Sequence, residues 1–368
     1  MLPTGCVLEC RGCKHREWKA SESHAQKYQY LASKLSEWHD ILAPIRTVPA
    51  FNRLGYRNRT VLSTLWLNNQ WLFGMYVKDQ LIPIHNCPVH APVINRTIKI
   101  LSESLPYGNA FPMAFFIQTG SQVALILKTK EIFSDIWLTE KVKTALSGVG
   151  IEGLWVHFNP SAGRRLFEKT PLQLLFGKDK SRDVDGFIYS IGAFQQLIPK
   201  LYNHSLDEVE NFFKPTQEIA IVDLYCGIGK SVKRWLNFGS EVLGVEQNGS
   251  AIDCAKINVP GALILRGACR QRIPQIQDWV SRKRDEQKSV FLYVNPPRTG
   301  VEPDVLSWIV KKGMPEKIAY LSCSPGTLYK NLKFLQSYGY QVVQLIPFDF
   351  FPQTIHVECL ALIERKDN

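Results

Sequence analysis

The chain has 368 residues, long enough for two domains with separate cores, and with 45% of them hydrophobic and 21% charged it has the balance of an ordinary globular protein. It holds no apolar run near the ~20 residues needed to cross a bilayer, and its start, MLPTGCVLECRGCKHREWK, lacks the apolar core of a secretion signal. A cytoplasmic location without membrane attachment is therefore expected. Forty-four Lys and Arg against 33 Asp and Glu leave a net charge of +11. A polyanionic partner such as nucleic acid is the simplest account of that surplus, a merely basic surface the plainer one.

The first feature in chain order is Cys6, Cys10 and Cys13, a C-x3-C-x2-C group in a chain with only nine cysteines. With no secretion signal, thiols this dense point to metal ligands rather than disulfides, and the spacing leaves iron–sulfur and zinc both open. Phe51-Asn-Arg-Leu-Gly-Tyr-Arg-Asn-Arg59 interleaves basic and aromatic residues, and Arg164-Arg165 add charge. Such residues can stack on unpaired bases and contact phosphates, or form a solvated edge. The strand candidates TVLSTLWL, WLFGMYV, MAFFIQ, VALILK and GLWVHF give this half a mixed α/β character. Cys87, in Ile84-His-Asn-Cys87-Pro-Val, is a later thiol that could complete a four-ligand set. The polar, basic stretch GKDKSRDVDG (177–186) marks the expected boundary between residues 1–185 and 186–368.

Past the boundary, AIVDLY, EVLGVE, ALILR, SVFLYVN and KIAYLSC alternate with helix-length segments, which predicts a parallel, doubly wound sheet. YQVVQLI and HVECLALIE are separated by too short a loop for a helix, so they should form a terminal antiparallel pair. The expected fold is thus a seven-stranded, Rossmann-like methyltransferase domain behind a mixed α/β domain. Asp223-Leu-Tyr-Cys-Gly-Ile-Gly229 lies at the first strand-to-helix turn, where glycines let a ligand approach the backbone. Glu246 ends the second strand, 17 residues after Gly229, placed to accept from ribose hydroxyls. A dinucleotide site would want a further glycine where Val232 stands, so adenosine without a pyrophosphate fits better and an NAD oxidoreductase is disfavoured. Asn295-Pro-Pro-Arg298 after the fourth strand forms a rigid wall offering an amide. Cys323, in Tyr320-Leu-Ser-Cys-Ser-Pro-Gly-Thr327, lies between a strand and a helix whose N-terminus should lower its pKa. Glu358 enters the last strand from Phe351-Pro-Gln-Thr-Ile-His-Val. Singly, an inert cysteine and a solvated glutamate are the plainer readings.

In this order and spacing, DLYCGIG, GVE, VNPPRTG, YLSCSPGTL and DFFPQTIHVE resemble the RNA uracil-5-methyltransferases, over essentially the whole chain. Gly192-Ala-Phe-Gln-Gln196 looks like that family's cofactor-binding segment. Asn295 before the proline pair is similar to the short bacterial branch acting on 23S ribosomal RNA. The resemblance implies transfer of a methyl group from S-adenosylmethionine to C5 of a uridine. Cys323 would be the nucleophile adding to C6, and Glu358 the base. Gln196, Tyr225, Gly227, Glu246 and Asn295 would hold the cofactor. It also implies a [4Fe–4S] cluster on Cys6, Cys10, Cys13 and Cys87. Radical S-adenosylmethionine enzymes share the cysteine spacing, but they place it after a strand and commonly carry an aromatic residue where Gly12 stands. Ribosomal RNA is the expected partner and transfer RNA the alternative; no protein partner is implied, and a monomer without the N-terminal RNA-binding barrel of longer relatives is expected. Ser324, Ile198 and Ala268 depart from the family pattern, which supports a rival of another class, an RNA-binding or assembly factor of weak activity.

Overall fold

The computed structural model describes residues 2–108, 110–130, 136–161, 166 and 171–366; Arg164 and Arg165 lie outside them. The chain divides into two compact units. One takes the described residues up to Glu17 and Pro49–Ile191, the other takes Trp18–Val48 and the described residues from Gly192 onward. The segment Trp18–Val48, grouped above with the N-terminal domain, thus belongs to the second unit, beginning with helix α1 (Ala20–Lys34).

The first unit is built on strands β1 (Arg59–Leu67), β2 (Gln70–Val77) and β3 (Gln80–Pro83), helix α2 (Pro92–Ser104), strands β4 (Met113–Thr119) and β5 (Gln122–Leu127), helix α3 (Glu140–Gly148), and strands β6 (Gly153–Phe158) and β7 (Gln173–Gly177). A short hairpin, β8 (Ser181–Arg182) and β9 (Ile188–Tyr189), follows. The sheet order is β3-β2-β1-β4-β5-β6-β7. Asn68-Asn69 closes the β1–β2 hairpin with both residues at positive φ (51° and 59°), the turn whose twist matches paired strands. Only β5 and β6 run parallel, and α3 lies on the connection between them. Helix α2 buries Ile94, Thr97, Ile98 and Leu101, the one-sided spacing of a helix laid on a sheet.

The second unit continues with α4 (Pro199–Phe213), β10 (Ile219–Leu224), α5 (Lys230–Leu236), β11 (Glu241–Glu246), α6 (Gly249–Asn258), β12 (Leu263–Arg266), α7 (Cys269–Asp285), β13 (Ser289–Val294), α8 (Pro303–Trp308), β14 (Lys317–Ser322), α9 (Pro325–Gln336), β15 (Tyr340–Phe348) and β16 (Glu358–Arg365). Its sheet order is β12-β11-β10-β13-β14-β16-β15, with the first five strands parallel. The last strand inserts between β14 and β15, antiparallel to both. All six residues of β10 are buried, as a strand covered on both faces requires. The outer edge of β15 is covered by the early segment: Ala43 N–H donates to the Leu345 carbonyl and Arg46 N–H to that of Pro347, both at 2.8 Å. Among the described residues no helix is long and apolar enough to cross a membrane.

Candidate active site

In the second unit a cavity of about 730 Å³ opens where β10–β14 end and β16 begins, the place where open parallel sheets bind ligands. Its wall includes Gln196, Tyr225, Gly227, Glu246, Asn295, Cys323 and Glu358. All seven residues singled out in the sequence for catalysis and cofactor binding are therefore brought together.

Gly227 follows β10 with φ +55°, and no atom lies within 4 Å of where a Cβ would stand, so the turn leaves open room. Its N–H donates to Glu246 Oε2 at 3.0 Å, and Asn248 N–H donates to Oε1 at 2.6 Å. The carboxylate is thereby fixed at the cavity wall with lone pairs left over for ligand hydroxyls. Tyr225 takes the left-handed conformation, φ +62°, unusual for a bulky residue and held by a hydrogen bond from its hydroxyl to Glu302. Asp223, at the head of the same motif, is buried and accepts from Trp235 Nε1 at 3.1 Å instead of lining the cavity.

Cys323 and Glu358 are set by strand register. The last β14–β16 pair is Ser322 opposite Cys359, so the next residue on each strand, at the same end, is Cys323 and Glu358. Burial pushes the Glu358 carboxyl up to about 7, opposed by the neighbouring Gln196 amide and the Arg298 charge. The Cys323 thiol moves the other way from the sequence expectation. Burial raises it, the Glu358 charge adds to the rise, and Arg298 pulls it down. The helix terminus has little to give. Pro325, at the start of α9, has no N–H, and Ser324 N–H is taken by Ser322 Oγ at 3.2 Å.

Arg298, Glu302, Phe351 and His356 also line the cavity. All but Glu302 stood inside quoted motifs without being given roles; Glu302 carried no sequence signal. Of the three departures, Ala268 lines the cavity, whereas Ile198 is buried at the head of α4 and is not part of its wall. Ser324 Oγ meets Thr327 Oγ1 at 2.9 Å, and that hydroxyl donates to the Arg298 carbonyl at 3.3 Å.

In the first unit Cys6, Cys10, Cys13 and Cys87 are half-buried thiols. Burial raises Cys6, Cys13 and Cys87, Cys13 to about 11, and the field of Cys10 adds to each. Arg16 gathers the loop by donating to the carbonyls of Val7, Leu8 and Cys10. Four thiols are the right donors for an iron–sulfur cluster. As they stand, however, no three His, Cys, Asp or Glu side chains among the described residues form a group able to hold a metal ion. The basic and aromatic strip is not a continuous exposed face either: Phe51 is 81% exposed, but Arg53 is 5% exposed and burial lowers the pKa of Arg59.

Residues 279–366 match the family model described as tRNA (Uracil-5-)-methyltransferase. An uncharacterised RNA methyltransferase of Geobacter sulfurreducens is 26% identical over 95% of this chain and 72% of its own. One from Listeria innocua is 27% identical over 99% and 84%. The tRNA (uracil-54, C5)-methyltransferase of Pyrococcus abyssi, solved with S-adenosyl-L-homocysteine, matches in structure with a TM-score of 0.71 at 20% identity, covering 97% of this chain and 86% of that one. The fold is that of a class I methyltransferase. Its segment 279–366 is similar to the tRNA (uracil-5-)-methyltransferase family, and the curated relatives it resembles are named RNA methyltransferases.

Proposed function

We propose that the second unit binds S-adenosylmethionine and an unpaired uridine of RNA in this one cavity and methylates uracil C5. The observation that carries this reading is the β14–β16 register, which puts a thiol and a carboxyl side by side in a cavity that Glu246 also lines. Bound S-adenosylmethionine supplies an electrophilic methyl group. Glu246 would take the ribose hydroxyls, Gly227 and Tyr225 the turn beside them, and Asn295 an amide contact. Gln196 Oε1 is buried and accepts no hydrogen bond from the protein, as an atom awaiting a ligand donor would be.

Uracil C5 is a weak nucleophile. Cys323 Sγ, as thiolate, bonds to C6, and the C5–C6 π electrons become an enolate that makes C5 reactive. After transfer, the Glu358 carboxylate removes the proton from C5. The electrons of that C–H bond restore C5=C6 and expel Cys323 as thiolate. A carboxyl near 7 is part ionised at neutral pH, close to the optimum for a base working there. Because the thiol is half-buried, the uridine must leave its helix to reach it.

Ribosomal RNA is the proposed substrate, on the resemblance carried by Asn295. Transfer RNA is the second reading, favoured by the activity of the structurally similar Pyrococcus abyssi enzyme. On donor chemistry, Cys6, Cys10, Cys13 and Cys87 are proposed as ligands of a [4Fe–4S] cluster. The deciding experiment supplies methyl-labelled S-adenosylmethionine with unmodified ribosomal and transfer RNA, followed by nucleoside analysis of each. Labelled 5-methyluridine in the ribosomal fraction is expected from the wild-type protein and none from Cys323→Ala. Turnover by Cys323→Ala would overturn the mechanism, and label confined to transfer RNA the choice of substrate.

A further inference from the structure

Helix α1 turns a lysine inward. Lys27 has no exposed side-chain surface, and neither has its partner Asp349, 322 residues away; Nζ and Oδ1 are 2.5 Å apart. A fully buried lysine is rare without a partner, and a buried ion pair is seldom more stabilising than apolar side chains of the same size. What this pair does hold is a particular segment. Residues 349–357 connect β15 to β16, line the cavity through Phe351, His356 and Val357, and end on Glu358.

From Lys27 a run of hydrogen bonds leads toward Glu358. Lys27 Nζ donates to the Phe351 carbonyl at 3.1 Å. Thr354 donates to that same carbonyl from its N–H at 3.2 Å and its Oγ1 at 2.8 Å. His356 N–H donates back to Thr354 Oγ1 at 3.1 Å, two residues before Glu358. Asp349 is anchored separately: its Oδ2 meets His24 Nε2 at 3.2 Å, which also meets Thr47 Oγ1 at 3.2 Å, and its N–H donates to the Arg46 carbonyl at 2.9 Å. Lys27 is thus the side chain that ties Asp349 at the head of this connection to the Phe351 carbonyl two residues further along.

We infer that Lys27, from the early segment Trp18–Val48, is a positioning residue: paired with Asp349 and tethering the Phe351 carbonyl, it sets the segment that aims Glu358 at the uracil C5 proton. This deepens the proposed function and rests on it. Lys27 lies outside the cavity wall and touches no reacting atom. Its loss should therefore spare addition of Cys323 to the uracil and impair release. A displacement of the order of 1 Å at a reacting group costs ~10²-fold in rate.

The test follows the covalent RNA–protein adduct on denaturing gels alongside product formation, using the full chain, S-adenosylmethionine and a uridine-containing RNA substrate. Lys27→Met removes the lysine charge from a buried carboxylate and leaves it with His24, a change that could unfold the unit. The double variant Lys27→Met/Asp349→Asn removes both charges and is checked for folding by its melting transition. In the folded double variant the adduct should form at near the wild-type rate and break down ~10²-fold more slowly. Breakdown at the wild-type rate would overturn the inference. So would equal losses in formation and breakdown, the mark of general damage to the unit. Glu358→Gln serves as reference: free turnover there would sink the underlying assignment of the base, leaving the two failures distinguishable.

Discussion

Replacing Glu358 by Gln should stabilise the second unit, and the gain should depend on pH. The carboxyl is fully buried and sits at about 7, against an ordinary value of 4.5. Below pH 4.5 it is protonated in both the folded and unfolded chain and contributes no difference. Between 4.5 and 7 the unfolded chain releases this proton while the folded chain keeps it, so the wild-type protein loses stability as pH rises. Above 7 the loss is complete. A separation of about 2.5 pH units corresponds to about 3 kcal/mol at 1.36 kcal/mol per unit. Glutamine occupies nearly the same volume and carries no titratable proton. The variant should therefore match wild type near pH 4.5 and exceed it by up to about 3 kcal/mol at pH 8. For a unit of this size that is an upward melting shift of about 6–12 °C. Paired thermal melts of the two proteins across that range measure it directly. A shift of the same size at both ends, or a variant less stable at pH 8, would refute the assignment of burial as the cause of the raised pKa. The expected loss of product release in the same variant makes this a trade of stability for function at one side chain.

Arg298 lowers the pKa of both Cys323 and Glu358. Arg298→Gln should therefore displace the alkylation profile of Cys323 by iodoacetamide to higher pH, and a rise of one in the thiol pKa slows the reaction ~10-fold at neutral pH. An unchanged profile would show that the Arg298 charge does not act on the thiol. Anaerobically purified protein should carry iron and acid-labile sulfide in equal amounts, about four of each per chain, as a [4Fe–4S] cluster on four thiolates requires. The associated visible absorption should be lost on Cys13→Ala, and zinc alone would exclude the cluster.

The second half of the chain was open to reading because its signals are local. Each motif sits at a strand end, so finding the strands in AIVDLY, EVLGVE and SVFLYVN also located Gly227, Glu246 and Asn295. Glu358 was reachable through its strand, but its proximity to Cys323 depends on β16 inserting between β14 and β15. The sequence predicts an antiparallel pair there without giving its order. The early segment was missed for a related reason. The stretch holding Ala20–Lys34 carries no motif, and nothing near Lys27 indicates that its partner is Asp349. Pairing over 322 residues leaves no local trace. The strip from Phe51 to Arg59 is only partly as its composition suggests: Phe51 is exposed, while Arg53 is buried and burial lowers the pKa of Arg59.

The direction of the Cys323 shift changes how the site must work. With Pro325 at the head of α9 and Ser324 N–H already bonded, the helix terminus does not outweigh the burial that raises the thiol. Among the described residues the cation that lowers the thiol is Arg298, and it lowers Glu358 as well. Burial disfavours charge on both groups, and the Glu358 charge further raises Cys323, a coupling that must act in both directions. One negative charge under Arg298 is thus tolerated far better than two. That restriction suits the proposed chemistry, which needs the charges in turn. The thiolate is required at addition, when Glu358 can remain protonated. Once Sγ is bonded to carbon its charge is gone, and Glu358 can release its own proton to solvent and then, as carboxylate, take the C5 proton. Ser324 then has a physical role despite its departure from the family pattern. Through Thr327 it reaches the Arg298 carbonyl, linking the loop that carries the shared cation to the strand end that carries Cys323.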